Sequence, residues 1–212
     1  MRYLALGDSH TSGEGNDPEL CWPRLLAALL GCAAHPIKQC VVLGRSDWTS
    51  RELREEVAGL IRGPFDLVTL QVGLTDQLQE RPAAHFLPDF VALLDRAIAV
   101  SARGASGVIA LSVPEWVDAP AAAGRNKARI RSMQETYNAA IFVEAKRRGA
   151  RFVDVRPLAA GALRRGWLAG DGLHLSPHAY LHWAEEILPV AIESIGRRRR
   201  MPRPLRGRLT AS

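Results

Sequence analysis

The chain has 212 residues, 47% hydrophobic and 24% charged, the balance of a globular protein long enough for one α/β domain with a full core. No apolar run approaches the roughly 20 residues of a membrane helix. The start, MRYLALGDS, lacks the long apolar stretch and cleavage site of a secretory signal, so the expectation is a cytoplasmic protein with no membrane partner. The formal charge of +6 comes from the end of the chain. Arg197 to Arg200, Arg203, Arg206 and Arg208 lie in the last sixteen residues, and without those seven the chain has 21 basic against 22 acidic residues. The expected organisation is therefore a near-neutral domain over 1–196 and a flexible Arg/Pro-rich tail over 197–212. No aromatic residue interleaves the tail arginines, which argues against nucleic-acid binding by base stacking.

In chain order, strand-like runs alternate with helical patterns. Arg2 to Leu6 reads as a strand, and WPRLLAALLG as a helix with Gly31 as its C-cap. KQCVVLG is a second strand, followed by the amphipathic SRELREEVAGLIRG with Ser50 as N-cap. FDLVTLQVG is a third strand, a continuous apolar run suited to burial on both faces. A helix over FLPDFVALLDRAIAVSARG, a strand over GVIALSVP, a long helix over RIRSMQETYNAAIFVEAKRRG and a strand over RFVDV follow. The last helix, SPHAYLHWAEEILPVAIESIG, has Ser176 as N-cap and Pro177 at its first position. Five strands with intervening helices predict a parallel, doubly wound sheet. Sites in such sheets form beyond the carboxyl ends of the strands. There the sequence places Ser9, then Gly44-Arg45-Ser46-Asp47, Gly73-Leu74-Thr75-Asp76, Pro114-Glu115-Trp116 and Asp171-Gly172-Leu173-His174.

Three of these residues make a chemical set. A serine hydroxyl needs a base within hydrogen-bond reach to become a nucleophile. Histidine suits that role, and a carboxylate fixes its tautomer. Ser9, His174 and Asp171 supply the three, and the D-x-x-H spacing lets one short loop present the last two. There is no G-x-S-x-G elbow, which argues against an α/β-hydrolase. Asp8 and Asp76 are expected to brace the site loops. His178 and His182 can share a helix face, but no H-E-x-x-H pattern accompanies them, so they read as packing or surface residues. Cys21, Cys32 and Cys40 fit no zinc or redox spacing and read as reduced, mostly buried thiols.

LALGDSHTSGEG near the start and DGLHLSPHAY near the end resemble the first and last blocks of the SGNH/GDSL hydrolase family. DWTSREL, FDLVTLQVGLTDQ, VIALSVPEW and YLHWAEEILP resemble segments of a bacterial branch, so the likeness runs from about Arg2 to Ile195. It implies a flavodoxin-like three-layer αβα sandwich and hydrolysis of a small-molecule carboxylic ester, without metal or organic cofactor. By position, Ser9 would be the nucleophile, His174 the base and Asp171 its partner. The Ser9 N–H would be one oxyanion donor. Two departures stand out. The oxyanion glycine of the second block aligns with Asp47, or in a second alignment with Gly44. Thr75 stands where the family's third block carries Asn. Losing one oxyanion donor costs about 2.7–4 kcal/mol. The Asp47 side chain faces substrate, or else faces solvent or pairs with Arg45 or Arg51. Glu115 and Trp116 are candidates for lining the substrate pocket, with a structural role for Trp116 as the alternative. Three outcomes stay open: an esterase, an acyltransferase using the same acyl-enzyme, and a binding protein on a weakened hydrolase scaffold. The sequence leaves substrate identity and oligomeric state open.

Overall fold

The computed structural model describes residues 1–196; the expected tail over 197–212 lies outside them. Five strands, β1 (Arg2–Gly7), β2 (Gln39–Gly44), β3 (Leu67–Gln71), β4 (Val108–Leu111) and β5 (Arg151–Val153), pair in the order β2-β1-β3-β4-β5. Every pairing is parallel. The helices are α1 (Ser9–Ser12), α2 (Trp22–Cys32), α3 (Ser50–Leu60), α4 (Leu74–Leu78), α5 (Ala83–Val100), α6 (Lys127–Arg147), α7 (Arg156–Arg165) and α8 (Pro177–Ile195).

The pleat sorts each strand's residues to two cores. Leu4, Leu6, Val68, Leu70, Val108 and Ala110 face α3, α5 and α6. Tyr3, Ala5, Leu67, Ile109 and Leu111 face α2, α7 and α8. Both sets are fully buried, as expected of parallel strands covered on both faces. The result is the α/β sandwich and strand order of a flavodoxin-like fold. No helix among the described residues is long and apolar enough to cross a membrane.

The order in which successive strands are added reverses between β1 and β3, and the register aligns Gly7 with Gly44 on one side and Gln71 on the other. The ends of three strands therefore lie level around the residue that follows Gly7. This is the switch point where open α/β sheets form their crevice.

Local signals differ from the sequence reading at several ends. Gly31 lies inside α2, which runs to Cys32 and caps on Ala33. Thr49, not Ser50, is the N-cap of α3: its side chain accepts from the helix N-terminus while Glu52 reaches back to the Thr49 N–H at 2.9 Å. That reciprocal capping box satisfies two orphan donors; with Ser50 as N-cap the third helical residue would be Leu53, which has no group to reach back. Ser50 instead gives its N–H and hydroxyl to Asp76, at 2.7 and 2.8 Å. Helix α7 is absent from the sequence reading, because Gly161 and a polar flank interrupt its periodicity. Of the cysteines, Cys21 is buried and Cys40 half-buried, but Cys32 is exposed.

Candidate active site

Ser9 starts α1 at the tip of β1 and is only 2% exposed. Asp8 is the N-cap and accepts the His10 N–H at 3.2 Å. Its other oxygen takes the N–H groups of Gly73 and Leu74, both at 2.9 Å, which ties the end of β3 to the Ser9 corner. A methyl group at Gly44 would meet the Asp8 carbonyl oxygen at 2.7 Å, so only glycine lets β2 approach this corner. The Ser9 N–H donates to no acceptor among the described residues. It stands at the first position of a helix, where such groups are orphaned.

Burial pushes the Asp8 carboxyl up to about 6, against the pull of the Leu74, Gly73 and His10 N–H groups. A folded-state value above the ordinary one means that Asp8 contributes most to stability below pH 3.8, and that this contribution is lost as pH rises through about 6. A carboxyl-carbon NMR titration should show its inflection near pH 6; an inflection in the ordinary Asp range would contradict the burial argument.

His174 sits on the loop between α7 and α8. Its Nδ1–H donates to Asp171 Oδ2 at 2.6 Å. The other Asp171 oxygen accepts the N–H groups of Leu173 and His174, at 2.9 and 3.0 Å. Burial alone would raise this carboxyl, but the His174 side chain and those two N–H groups outweigh it and hold Asp171 below the ordinary carboxylate range. His174 Nε2 is buried and has no hydrogen-bond partner. The His174 ring lies 5.0 Å, centroid to centroid, from that of His10, which brings it beside the residue that follows Ser9.

The glycine-rich segment after Ser9 holds the His174 loop in place. Asn16 Nδ2 donates to the Leu175 carbonyl at 3.0 Å. Gly15 has φ +78, and a methyl there would lie 3.0 Å from Ala169 Cβ and 3.4 Å from Asp171 Oδ2. Gly15→Ala should therefore destabilise the protein by about 1–2 kcal/mol in a denaturant melt. It should also slow ester turnover, by displacing Asp171. Unchanged stability and rate would show that this packing does not matter.

A buried ion network braces the opposite wall. Asp76 accepts from Arg81 at 2.7 Å as well as from Ser50, and Asp89 joins Arg81 and Arg54 at 2.6 Å each. Asp8 and Asp76 thus both act as loop braces.

The remaining sequence candidates are spread unequally. Gly44 is at the Ser9 corner. The Asp47 side chain is 71% exposed and pairs with Arg45 at 3.6 Å. The Thr75 hydroxyl donates to the Ser46 carbonyl at 3.3 Å, so it ties the β2–α3 loop to α4. Glu115 folds back to accept the Val117 N–H at 3.1 Å. Trp116 has the packing expected of its structural alternative. It is 1% exposed, belongs to the α5–α6 core, and spends its indole N–H on Gln77 at 2.7 Å. His178 and His182 pack around Trp167, with centroids at 4.3 and 5.5 Å. No group of three His, Cys, Asp or Glu residues arranged to hold a metal ion occurs among the described residues. The sequence reading passed over His10, whose only signal was its place directly after Ser9 at a strand end.

The profile of the GDSL-like lipase/acylhydrolase family matches residues 5–181. The chain belongs to that family. A search of curated proteins gave no significant match. Among solved structures, it is similar to a G-D-S-L family lipolytic protein from Desulfitobacterium hafniense, at 19% identity and a TM-score of 0.70, over 89% of this chain and 98% of that one. It is also similar to Axe2, an acetylxylan esterase from Geobacillus stearothermophilus, at 17% identity and TM-score 0.70, over 90% and 93% of the two chains. The structure of TesA matches at 21% identity and TM-score 0.70, over 90% and 97%. These likenesses establish a shared fold. Membership of the GDSL-like lipase/acylhydrolase family makes the protein a hydrolase by family.

Proposed function

We propose that this GDSL-family protein hydrolyses a small carboxylic ester through an acyl-enzyme on Ser9. The observation that carries the reading is the buried His174, anchored through Nδ1 to Asp171 and left with a free Nε2 beside the α1 turn. Because the ionised Asp171 can only accept, it keeps the proton on Nδ1 and leaves the Nε2 lone pair as the base. Ser9 Oγ attacks the ester carbonyl carbon while its proton passes to His174 Nε2. The negative charge on the carbonyl oxygen meets the free Ser9 N–H and a backbone N–H near Gly44. The C–O bond to the alcohol then breaks, and His174 returns its proton to the leaving oxygen. Water attacks the acyl-enzyme by the same proton path and releases the acid and Ser9.

The structure records no hydrogen bond between Ser9 Oγ and His174 among the described residues. Catalytic hydrogen bonds are often long without substrate and tighten in the complex. With the Thr75 hydroxyl committed to Ser46 and the Asp47 carboxylate to Arg45, the oxyanion rests on backbone donors.

The test is steady-state hydrolysis of p-nitrophenyl esters of rising acyl length, with product analysis in the presence of added alcohols. Saturable turnover to the free acid supports the reading. Acyl transfer to the alcohol in preference to water would reassign the protein as an acyltransferase. No turnover of any ester by folded protein would overturn the reading.

A further inference from the structure

The residue after the nucleophile is a histidine, and it is buried to 1%. Its Nδ1 meets the Tyr180 hydroxyl at 3.0 Å, and its ring stacks on Trp183 at 5.6 Å with an interplanar angle of 29°. Its backbone N–H is held by Asp8 at 3.2 Å. Tyr180 and Trp183 are themselves fully buried on α8, and their rings meet edge to face at 5.8 Å. Three constraints therefore fix one imidazole in one orientation. The ring next in line is His174, at 5.0 Å and tilted by 60°.

We propose that His10 is a positioning residue for His174: clamped by Tyr180 and Trp183, it is the wall that keeps the His174 ring turned with Nε2 open toward Ser9. The inference rests on the ester-hydrolase reading. Asp171 holds the His174 backbone N–H with one oxygen and touches the ring at a single atom, Nδ1, with the other. Small concerted rotations about the two side-chain bonds can still redirect Nε2 while that hydrogen bond bends, and a second surface limits them. His10 is the aromatic neighbour given to His174 by the ring geometry, and it lies on the same short helical turn as Ser9. One rigid unit thus carries the nucleophile and the surface that aims its base.

The clamp also joins the two segments of the site. Tyr180 stands on α8, the helix that follows the His174 loop, so its 3.0 Å contact with His10 Nδ1 links the residue after Ser9 to that helix. The wall is uncharged. Burial, and then the neighbouring His174, push the His10 imidazole well below its ordinary pKa, while Asp171 pulls weakly the other way. A neutral ring can rest against His174 when that ring takes up the serine proton, where a second cation would repel it.

The experiment compares wild type with His10→Ala, His10→Phe and Tyr180→Phe. Three readouts are taken: kcat and KM for ester hydrolysis, the rate of Ser9 labelling by a fluorophosphonate, and the downfield proton NMR signal of the His174 Nδ1–H bonded to Asp171. A misplacement of about 1 Å near the chemistry can cost about 10²-fold in rate. His10→Ala should lose 10- to 100-fold in kcat and in labelling rate, with KM within about twofold, and its downfield signal should broaden or vanish. His10→Phe restores a flat wall and should recover most of the rate and the signal. Tyr180→Phe, which only loosens the clamp, should fall between His10→Ala and wild type.

A folded His10→Ala protein with wild-type kcat, labelling rate and downfield signal would overturn the proposal. So would a His10→Phe protein as impaired as His10→Ala. The NMR signal needs no substrate. If wild type hydrolyses no ester, the function reading fails, while loss of the signal in His10→Ala and its return in His10→Phe still decide whether His10 holds His174.

Discussion

Ser9→Ala should lower kcat for ester hydrolysis by on the order of 10⁴-fold or more, because no other group can form the acyl-enzyme. The same change should leave the fold intact. The structural bonds of Ser9 run through its carbonyl, which accepts the N–H groups of Gly13 and Glu14 and the Ser12 hydroxyl. Alanine keeps that carbonyl, and the Ser9 hydroxyl makes no hydrogen bond among the described residues. The stability change should be under about 0.5 kcal/mol, or about 2 °C in melting temperature. Activity without stability is the signature of a group kept for chemistry. A loss of less than tenfold, with the protein folded, would mean that the measured hydrolysis occurs elsewhere.

Asp171→Asn should cost about as much, near 10⁴-fold in kcat, for a different reason. Asp171 faces donors on both oxygens: backbone N–H groups on Oδ1 and the His174 Nδ1–H on Oδ2. An asparagine has only one acceptor atom. Placing its oxygen toward the two backbone donors turns its NH₂ group toward His174 Nδ1. The imidazole must then carry its proton on Nε2, where it cannot take the serine proton. The reverse placement sets an NH₂ group against two N–H groups. The first placement keeps the number of hydrogen bonds but replaces charge-assisted ones by weaker neutral ones, so a modest fall in stability of about 1 kcal/mol accompanies the kinetic loss. The measurement is kcat on the same ester panel beside a denaturant melt. A fall in stability without the kinetic loss would leave Asp171 a loop brace only.

Much of the fold was legible because parallel strands covered on both faces leave continuous apolar runs. Each of the five runs became a strand in a sheet of the expected kind, and Ser176 with Pro177 marked the start of α8 correctly. Ends were read less well where a side chain had two competing uses. Ser50 looked like a cap, but Asp76, 26 residues away, takes its polar groups. Helix α7 carries its own interior glycine and shows no clean periodicity.

At the site, the Asp171–His174 contact was readable from the D-x-x-H spacing, and the place of Ser9 at a strand tip from the apolar run that ends at Gly7. Trp116 carried two readings because a strand-end tryptophan looks the same in sequence whether its indole meets solvent or Gln77. Thr75 and Asp47 could be flagged as departures, but their partners, the Ser46 carbonyl and Arg45, depend on how the β2–α3 loop folds. His10 was invisible for a similar reason. Its meaning lies in Tyr180 and Trp183, more than 160 residues along the chain.

The most direct test of the account is covalent labelling with a fluorophosphonate, read by intact mass and peptide mapping on wild type, Ser9→Ala and His174→Ala. The expected result is one adduct, on Ser9, absent from Ser9→Ala and formed far more slowly in His174→Ala. Folded wild-type protein that takes no adduct, or takes it on another serine, would contradict the assignment of Ser9 as a nucleophile activated by His174.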